Sequence, residues 1–508
     1  MLFLATNIFS QAPVIEWQKS FGGSGLDYPR NALVTSDGGY IMLGNTQSNN
    51  GDVTNNHGSS DIWIVKLNAL GVLQWQKTLG GSNNESAESI RETPDGYIII
   101  GNTYSNDGDV VGFHGGGNPD VWIVKLNTVG AIQWQKTLGT TTYESGYNII
   151  ATSDGGYLAI ANKNLTVVQG PTIYDTTQYW IIKLSSTGVV QWEKVYGGIG
   201  NSTPHDLLQT DDGGFMVVGE TSAHDGDIVG NHGSAESVDI WLLKLTSAGD
   251  ISWQKCYGGS YYERAFRIVK TSDGGYIIAG DSDSNDGDLL GTTHISYTSI
   301  WIIKIDSQGV IEWQKNYGGS QTNYSFDIFQ TADSGYVFCG YTDSNDIDVT
   351  GNHGSCDAWV VKINALGIIQ WQKTIGGSQC DSAFTIKPTS DDGFFMSGYN
   401  SSSDGDATQN NGLRDYWAVK LSAENLSNAS FEENKLTVFP NPASNRLNLS
   451  ITNNLTINKV KITDLLGKFV YEQTDNTHQI NIENLTSGIY FIQVFTNESE
   501  YKTKFIKQ

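Results

Sequence analysis

Pairs of aspartates recur in one polar loop along the chain, and their spacing could serve a hard cation. The loop reads SNDGDVVGFHGG at 105–116, HDGDIVGNHG at 224–233 and SNDIDVTGNHG at 344–354. Calcium prefers clustered carboxylate and carbonyl oxygens on a flexible backbone, and an N-D-G-D sequence offers both. The predicted calcium ligands are Asp107, Asp109, Asp225, Asp227, Asp286, Asp288, Asp346 and Asp348. The alternative interpretation is that Asp and Asn beside Gly only shape turns.

No recognised calcium or catalytic motif accompanies these loops. The nearest match to an EF-hand, at 281–288, misplaces the glycine and lacks the Glu at the twelfth position. The chain contains no G-x-S-x-G, H-E-x-x-H, phosphate-binding loop or C-x-x-C sequence. An active site assembled from unequal repeats stays open as an alternative. The third repeat is the place to search for it, because NLTVVQGPTIYD at 164–175 replaces the acidic loop there.

The histidines of these loops and the cysteines are expected to have structural roles. The loop histidines are His57, His114, His232 and His353. They occur once per loop, so a stabilising hydrogen bond is a better interpretation than a shared metal site. The cysteines are Cys256, Cys339, Cys356 and Cys380. Four cysteines in a chain of this length favour unpaired thiols over a disulfide framework. Cys356 and Cys380 nevertheless flank one predicted hairpin and could approach each other.

The composition indicates a folded, exported chain of more than one domain. The 508 residues are 38% hydrophobic and only 17% charged, which allows a buried core. The formal net charge of −24, with no offsetting run of Lys or Arg, argues against binding to nucleic acid. No segment after the N-terminus is apolar enough to span a membrane. Residues 1–12 are predicted to be the remnant of a signal peptide.

The tryptophans reveal an internal repeat. All 14 fall into two series, W-[QE]-K and W-x-x-K, whose successive members lie 58 to 61 residues apart. The first series is Trp17, Trp75, Trp134, Trp192, Trp253, Trp313 and Trp371, and the second is Trp63, Trp122, Trp180, Trp241, Trp301, Trp359 and Trp417. A fixed period of this size is typical of repeat architectures. A large aromatic at the same place in every unit is expected to pack between neighbouring units.

Each repeat is predicted to contain four strands, which would hold the tryptophans and the acidic loops in place. A Gly lies in the short turn between the two Trp-bearing strands, and apolar runs such as IWIVKL suit a sheet buried on both faces. Four-stranded units closed in a circle make a β-propeller. The chain begins on a lone fourth strand, IEWQK, and its last repeat stops after the third strand. We therefore predict an all-β, seven-bladed propeller over 13–421, of about 59-residue repeats, closed by the N-terminal strand.

A different pattern follows the repeats. Residues 422–435 are polar and are predicted to be a linker, and 436–508 alternate as strands separated by turns, which predicts a small Ig-like β-sandwich. The marks of this segment are Pro440, Asn441 and Pro442, then Asp464 and Gly467, then Gly488 and Tyr490, and Lys504 in a Lys-rich last strand. In this order and at the C-terminus, they resemble the type A C-terminal sorting domain of the type IX secretion system of Bacteroidota.

The resemblance implies a folded secretion signal that is recognised by the type IX machinery and cleaved by its sortase. The protein would then be released or attached to surface lipopolysaccharide, so it is expected outside the cell or on its outer surface. The repeat units themselves look like W-Q-K, D-G-G-Y and N-D-G-D units common in secreted proteins of the same bacteria. A monomer is expected, without nucleic acid and without a transmembrane segment.

Three functions follow from these expectations. The leading one is a secreted or surface-displayed adhesion module whose ligand is a polysaccharide or a surface protein, because near-identical blades make a repeated binding face. The second is an extracellular polysaccharide-degrading enzyme with carboxylates from the loops of blades three and four. The third is a purely structural surface protein. Calcium is the one cofactor considered, and the sequence names no ligand.

Overall fold

The computed structural model describes residues 11–169, 172–234, 237–292, 298–424, 436–451, 457–464, 468–474, 479–496 and 500–508. The chain divides into two compact units. Ser10–Asn425 form the first, and Leu426–Gln508 belong to the second. Residues 1–10 of the predicted signal remnant and residues 425–435 of the predicted linker fall outside the described residues. No helix in the described ranges has the length and apolar character needed to cross a bilayer.

The described part of the first unit contains seven four-stranded antiparallel sheets, the blades of a propeller. The first strands are β2 (Asp27–Val34), β6 (Glu85–Thr93), β10 (Glu144–Ala151), β14 (Ser202–Gln209), β18 (Glu263–Lys270), β22 (Asn323–Gln330) and β26 (Ser382–Pro388). The second strands are β3 (Tyr40–Thr46), β7 (Gly96–Thr103), β11 (Tyr157–Gln169), β15 (Phe215–Thr221), β19 (Tyr276–Ser282), β23 (Tyr336–Thr342) and β27 (Phe394–Asn400).

The remaining two strands of each blade carry the tryptophans. The third strands are β4 (Asp61–Leu67), β8 (Asp120–Asn127), β12 (Thr172–Leu184), β16 (Asp239–Leu245), β20 (Ser299–Ile305), β24 (Asp357–Ile363) and β28 (Asp415–Leu421). The fourth strands are β5 (Leu73–Leu79), β9 (Ile132–Leu138), β13 (Val190–Tyr196), β17 (Ile251–Tyr257), β21 (Ile311–Tyr317), β25 (Ile369–Ile375) and β1 (Ile15–Phe21). Blade three departs from the rest, because β11 and β12 extend to 13 residues each. A short 3-10 helix, Gly287–Leu289, lies in blade five.

The ring closes as predicted, through the N-terminal strand. Blade seven has the order β1-β28-β27-β26, so its fourth strand comes from the start of the chain. The first strands contact one another in sequence around the ring, and β26 returns to β2. Because every blade then has a neighbour on both faces, no blade leaves an apolar face open to water. The prediction of a seven-bladed propeller is confirmed.

Two contacts explain why the tryptophan motifs recur. The indole of each third-strand Trp donates to the residue that follows the fourth-strand Trp in its own blade, as Trp63 does to Gln76 at 2.8 Å. The same bond closes the ring, where Trp417 donates to Gln18 at 2.7 Å. The fourth-strand Trp packs on the next blade instead. Gly71 has φ 69°, and a Cβ added to it would lie 2.8 Å from the Trp17 ring. This turn therefore needs glycine both for its left-handed backbone and for the space that the indole occupies.

Each blade also contains a buried lysine paired with a turn aspartate. The pairs are Lys66–Asp37, Lys125–Asp95, Lys183–Asp154, Lys244–Asp212, Lys304–Asp273, Lys362–Asp333 and Lys420–Asp391, with separations of 2.7 to 3.0 Å. The lysine stems are almost fully buried, whereas the aspartates are more than half exposed. Each pair ties the turn between the first two strands to the third strand of its blade, as expected for paired lysines with buried stems.

The cysteines require a correction. Cys356 and Cys380 form a disulfide, whereas the sequence favoured unpaired thiols. Cys356 precedes β24 of blade six and Cys380 precedes β26 of blade seven, and an isolated parallel bridge brings the two residues together. The same bridge recurs between other neighbouring blades without cysteines, as at Ser60 and Asn84. The ring geometry therefore supplies the proximity that spacing alone could not establish. Cys256 and Cys339 are free thiols.

The described part of the C-terminal unit is a β-sandwich. One sheet contains β29 (Leu436–Phe439), β30 (Arg446–Ile451) and β33 (Gln479–Asn481). The other contains β31 (Ile457–Asp464), β32 (Phe469–Gln473), β34 (Gly488–Thr496) and β35 (Glu500–Lys507). Leucines and isoleucines from both sheets, such as Leu447 and Ile492, form one core. This agrees with the small sandwich predicted from the alternating pattern.

Candidate functional site

A β-bulge occurs at the same place in every first strand of the propeller. In β22 the pairing with β23 shifts between Ser325 and Asp327, and equivalent shifts occur in β2, β6, β10, β14, β18 and β26. A bulge inserts one unpaired residue and re-aims its side chain. The seven bulged residues are Arg30, Glu88, Tyr147, His205, Phe266, Phe326 and Phe384. We call them the mouth ring.

The mouth ring lines a cavity at the centre of the propeller. The cavity volume is about 470 Å³, and all seven bulged residues contribute to its wall. Tyr104 and Tyr143, from loops at the face where the first strands begin, extend the wall outward. A cavity of this size, with both apolar and polar walls, is typical of small-molecule and oligosaccharide-sized ligands.

One wall of the cavity is aromatic. The ring centroids are 5.2 Å apart for His205 and Phe266, 5.7 Å for Phe266 and Phe326, and 4.9 Å for Phe326 and Phe384. Tyr399 continues the arc at 5.8 Å from Phe384. These spacings match tilted and edge-to-face aromatic pairs, which hold one another rigid. Blades four to seven therefore present a continuous, preformed apolar surface.

The opposite wall is polar. Arg30 Nε lies 3.8 Å from Glu88 Oε2, and burial raises the pKa of the Glu88 carboxyl. Tyr147 meets the His205 ring edge-on, with centroids 5.6 Å apart. His205 Nε2 lies 3.6 Å from Glu220 Oε2, and neither atom has a hydrogen-bond partner within the described residues. This wall can donate hydrogen bonds to a polar ligand and accept them from it. The Glu88 carboxyl stays protonated to a higher pH than usual.

An ion-pair and hydrogen-bond network lies directly below the mouth ring. It consists of Ser89, Arg91, Asn148, Asp206, Arg267, Asp327 and Lys387, and we call it the floor network. Arg267 Nε lies 3.0 Å from Asp327 Oδ1, and its Nη1 lies 3.6 Å from Asp206 Oδ1. Lys387 bonds to Asp327 at 2.6 Å, and Asn148 donates to Asp206 at 2.6 Å. The chain of contacts runs without a break from blade two to blade seven.

The mouth ring is the functional candidate that the sequence interpretation missed. The third blade was singled out for its loops, whereas the structure brings together one residue from every blade. A signal was present in the sequence. The position two residues after the bulge, such as the buried Ile328, is apolar in every repeat, whereas the bulged position changes from Arg to Glu, Tyr, His and Phe, and the position directly after it varies as well. Variation at the positions that face the centre of the ring, beside an apolar position that is kept, indicates a role that differs between blades.

The predicted calcium ligands lie in another place, on the loops between the second and third strands. Asp107 Oδ1 accepts the Ser82 amide at 2.7 Å, and Asp109 Oδ2 accepts the Gly80 amide at 3.3 Å. The other predicted ligands make the equivalent bonds to the loop that enters their own blade. The histidines bond within their loops, as His57 Nδ1 does to Asp61 Oδ2 at 2.8 Å. Among the described residues, no three His, Cys, Asp or Glu side chains are grouped to hold a metal.

A second set of carboxylates lies buried at the junctions between blades. Asp61 of blade one and Glu85 of blade two approach the same glycine, because a Cβ at Gly80 would lie 2.5 Å and 2.6 Å from their oxygens. Equivalent pairs are Asp120 with Glu144, Asp239 with Glu263, Asp357 with Asp381, and Asp415 with Asp27. At the other two junctions both acids are replaced together. Gln178 and Ser202 stand in their places between blades three and four, and Ser299 and Asn323 between blades five and six. Oδ1 of each third-strand aspartate finds no hydrogen-bond donor within the described residues.

The stability of the propeller should pass through a maximum at mildly acidic pH. Burial raises the pKa of Asp415 to about 6, and burial, opposed by Arg264, leaves the pKa of Asp281 at about 7. A group with a raised folded pKa adds stability as pH falls through that value. In the turn pairs, a hydrogen bond from Thr152 and then the Lys183 ammonium lower the pKa of Asp154 to about 2, so its contribution is lost as pH falls from 3.8 toward that value.

The measurement is the thermal unfolding midpoint between about pH 8 and about pH 2. We expect it to rise down to about pH 4 and to fall below that. Asp415→Asn should flatten the upper part of the curve and Asp154→Asn the lower part. A midpoint that declines steadily from pH 8 would contradict the assignment of the buried junction carboxylates.

The predicted sorting residues occupy distinct places in the sandwich. Asn441 Oδ1 accepts the Ile506 amide at 2.9 Å, which ties the Pro-Asn-Pro segment to the last strand. Tyr490 is buried, stacks on Phe505 at 5.6 Å and donates to the Thr486 carbonyl at 2.9 Å. Gly488 begins β34, Lys504 is exposed on β35, and Asp464 ends β31. Gly467 lies outside the described residues.

Comparison with known proteins assigns the C-terminal segment. Residues 437–508 match the family model described as the secretion system C-terminal sorting domain. A local likeness of 38% identity over 90 residues relates the chain to ulvan lyase NLR42 of Nonlabens ulvanivorans, and it covers 17% of each protein. The chain thus spans only a small part of the length of this curated relative, and the likeness does not extend to the whole enzyme.

Solved structures similar to this chain are distant. PorZ of Porphyromonas gingivalis, a surface component of the type IX secretion system, has 10% identity and a TM-score of 0.37, over 93% of this chain and 58% of that one. The WD40 domain of Pan2 from Neurospora crassa has 8% identity and a TM-score of 0.43, over 79% of this chain and 95% of that one. At these values the likeness carries no statement about function.

Proposed function

Since residues 437–508 are a secretion system C-terminal sorting domain, and the protein is therefore secreted or attached to the outer cell surface, we propose that its propeller binds a carbohydrate chain in the central cavity. The observation that carries this proposal is the division of the mouth ring into an aromatic wall and a polar wall. Of the two ligands that the sequence interpretation left open, a polysaccharide is favoured over a surface protein, because the candidate site is a cavity and not a flat face.

The chemistry of the two walls suits a sugar ring. A pyranose has an apolar face of C–H groups, which packs against the flat face of an aromatic ring, and hydroxyls at its edge. Phe266, Phe326 and Phe384 offer the flat faces, while Arg30 offers a charged donor and Glu88 a carboxyl for hydroxyls across the cavity. Hydrogen bonds to charged groups are stronger than neutral ones, so this wall would fix the orientation of the sugar.

Removing one aromatic ring should weaken binding without unfolding the protein. Phe326 contacts both Phe266 and Phe384 and is only partly buried, so Phe326→Ala should reduce affinity at least about tenfold, which is ~1.4 kcal/mol. Phe469→Ala is the matched control, because Phe469 is 55% exposed in the C-terminal sandwich. The full chain would be tested on an array of polysaccharides, including ulvan. Equal binding by both variants would exclude the mouth ring as the site.

The second candidate function is an enzyme that cleaves such a chain. It is favoured by Glu88, whose pKa is raised by burial, and by Tyr147 and His205 beside it in the same cavity. A carboxyl whose pKa is raised by burial keeps its proton to a higher pH than usual, which suits a general acid. The same array would be assayed for released sugars. If the protein is an enzyme, Glu88→Gln should abolish release and keep binding; binding without any product supports the adhesion function.

Calcium remains a proposal for the N-D-G-D loops, with Asp107 and Asp109 as the representative pair. Their carboxylates each accept a backbone amide and keep further lone pairs for a cation. The array is therefore run with calcium and with a chelator. Binding that is lost in chelator and restored by calcium supports a calcium-dependent module, and binding that is unchanged assigns these aspartates to the turns alone.

A further inference from the structure

The cavity is a well with one open end, and this determines which part of a carbohydrate chain it can hold. Resting on the proposed carbohydrate function, we infer that the site recognises the end of a chain and does not bind internal segments. Three features carry the inference: the depth of the mouth ring, the closed floor network below it, and the volume of the cavity.

The mouth ring lies well below the rim of the propeller. Phe326 is three residues along β22 from its start at Asn323, and each residue of a strand advances by about 3.3 Å. The aromatic wall is therefore on the order of 10 Å below the start of the strand. A chain that only crossed the rim would not reach these rings. To stack on Phe326, a sugar has to enter the well.

The floor network prevents the chain from continuing through the propeller. Arg267 and Asp327 line the bottom of the cavity, and Arg267, Arg91 and Asp206 line a separate groove on the far side. One layer of side chains thus divides the two openings. Opening it would separate Arg267 from Asp327 and Asp206, which are almost fully buried. Leaving such carboxylates buried without their partner is unfavourable, so the layer stays closed.

The volume sets the number of sugar units. About 470 Å³ is in the range of a compact ligand, and it accommodates a few sugar rings but not a folded-back polymer. A chain that enters must therefore terminate at the floor, with its end group near Asn31, Asn148 and Arg267. Asn148 is already bonded to Ser89, Arg91 and Asp206. The amide of Asn31 and the guanidinium of Arg267 would therefore meet the additional hydroxyl that distinguishes a chain end from an internal unit.

The test compares long and shortened forms of the same polysaccharides. The full chain would be titrated with xylan, alginate, ulvan and linear glucans, each in its native form and after partial hydrolysis to about one tenth of its length. Recognition of ends predicts that the binding capacity per gram rises about tenfold on shortening, because the number of ends per gram rises tenfold. Cyclic glucans, which have no ends, should not bind.

The outcomes separate this inference from the proposed function. A capacity per gram that is independent of chain length, or binding of cyclic glucans, would overturn recognition of chain ends and leave carbohydrate binding intact. Absence of binding by every polysaccharide would overturn both. A second variant, Asn31→Trp, fills the bottom of the well. It should reduce end binding at least tenfold while its thermal unfolding midpoint confirms that the ring is folded, and unchanged binding would also overturn the inference.

Discussion

Deletion of residues 1–20 should lower the thermal unfolding midpoint of the propeller strongly or abolish its cooperative transition. Those residues contain most of β1, which pairs with β28 over six positions from Ile15 to Phe21. The deletion also removes Gln18, the acceptor for the Trp417 indole, and Val14, whose carbonyl accepts the Ser422 amide at 2.9 Å. At roughly 1 kcal/mol per hydrogen bond, the loss amounts to several kcal/mol, which is a large part of the stability of a typical domain.

The loss extends beyond blade seven. Trp17 fills the space against Gly71 of blade one and contacts Tyr40 edge-on at 5.7 Å, so its removal opens the interface between the last and first blades. A shorter deletion, of residues 1–10, keeps all of β1 and is the matched control. Circular dichroism on heating distinguishes the two proteins. If both unfold at the same temperature as the full chain, the N-terminal strand does not close the ring.

Removal of residues 436–508 should keep the protein inside the producing cell with its propeller folded. The match to the sorting domain covers nearly all of the removed segment. The propeller has its own cores, and its strands lie within the other compact unit, so its unfolding midpoint should hardly change. Fractionation of the producing bacterium, followed by detection of the protein in cells and medium, measures export.

The reciprocal experiment excludes a trivial folding defect. Fusion of residues 422–508 to an unrelated periplasmic protein should export that protein, since the sandwich has a core of its own that includes Leu447 and Ile492. Normal export of the truncated propeller, together with no export of the fusion, would refute the sorting assignment.

Much of the fold could be predicted from the sequence because the same contacts are repeated in every blade. The hydrogen bond from Trp63 to Gln76 and the pair of Lys66 with Asp37 are written into the motifs W-x-x-K, W-Q-K and D-G-G-Y. Ring closure followed from the displaced N-terminal strand, since Trp17 belongs to the series of fourth-strand tryptophans. The repeat makes these features predictable, because each motif can be compared across all seven blades of the same sequence.

The cavity could not be predicted in the same way. Strict alternation places a residue such as Phe326 on the opposite face from Asp327, but the bulge turns both toward the centre of the ring. A bulge depends on backbone pairing and has no simple sequence mark. The disulfide between Cys356 and Cys380 was considered but not favoured for a related reason, because the two residues are brought together by a bridge between neighbouring blades and not by their spacing in the sequence.

The bulges also separate the residues that hold the blades together from the residues that line the cavity. Residues that hold blades together, such as Trp63 and Trp122, are shared by every unit and cannot change singly without loss of packing. The bulged residue projects into the cavity and contacts only other residues around it, so it can change without disturbing the tryptophan contacts that hold neighbouring blades together. Such a scaffold can therefore change the wall of its cavity and keep the contacts between its blades, much as an antibody varies its loops on a constant framework. The ligand preference of such a propeller would then depend mainly on the identities of its seven mouth-ring residues.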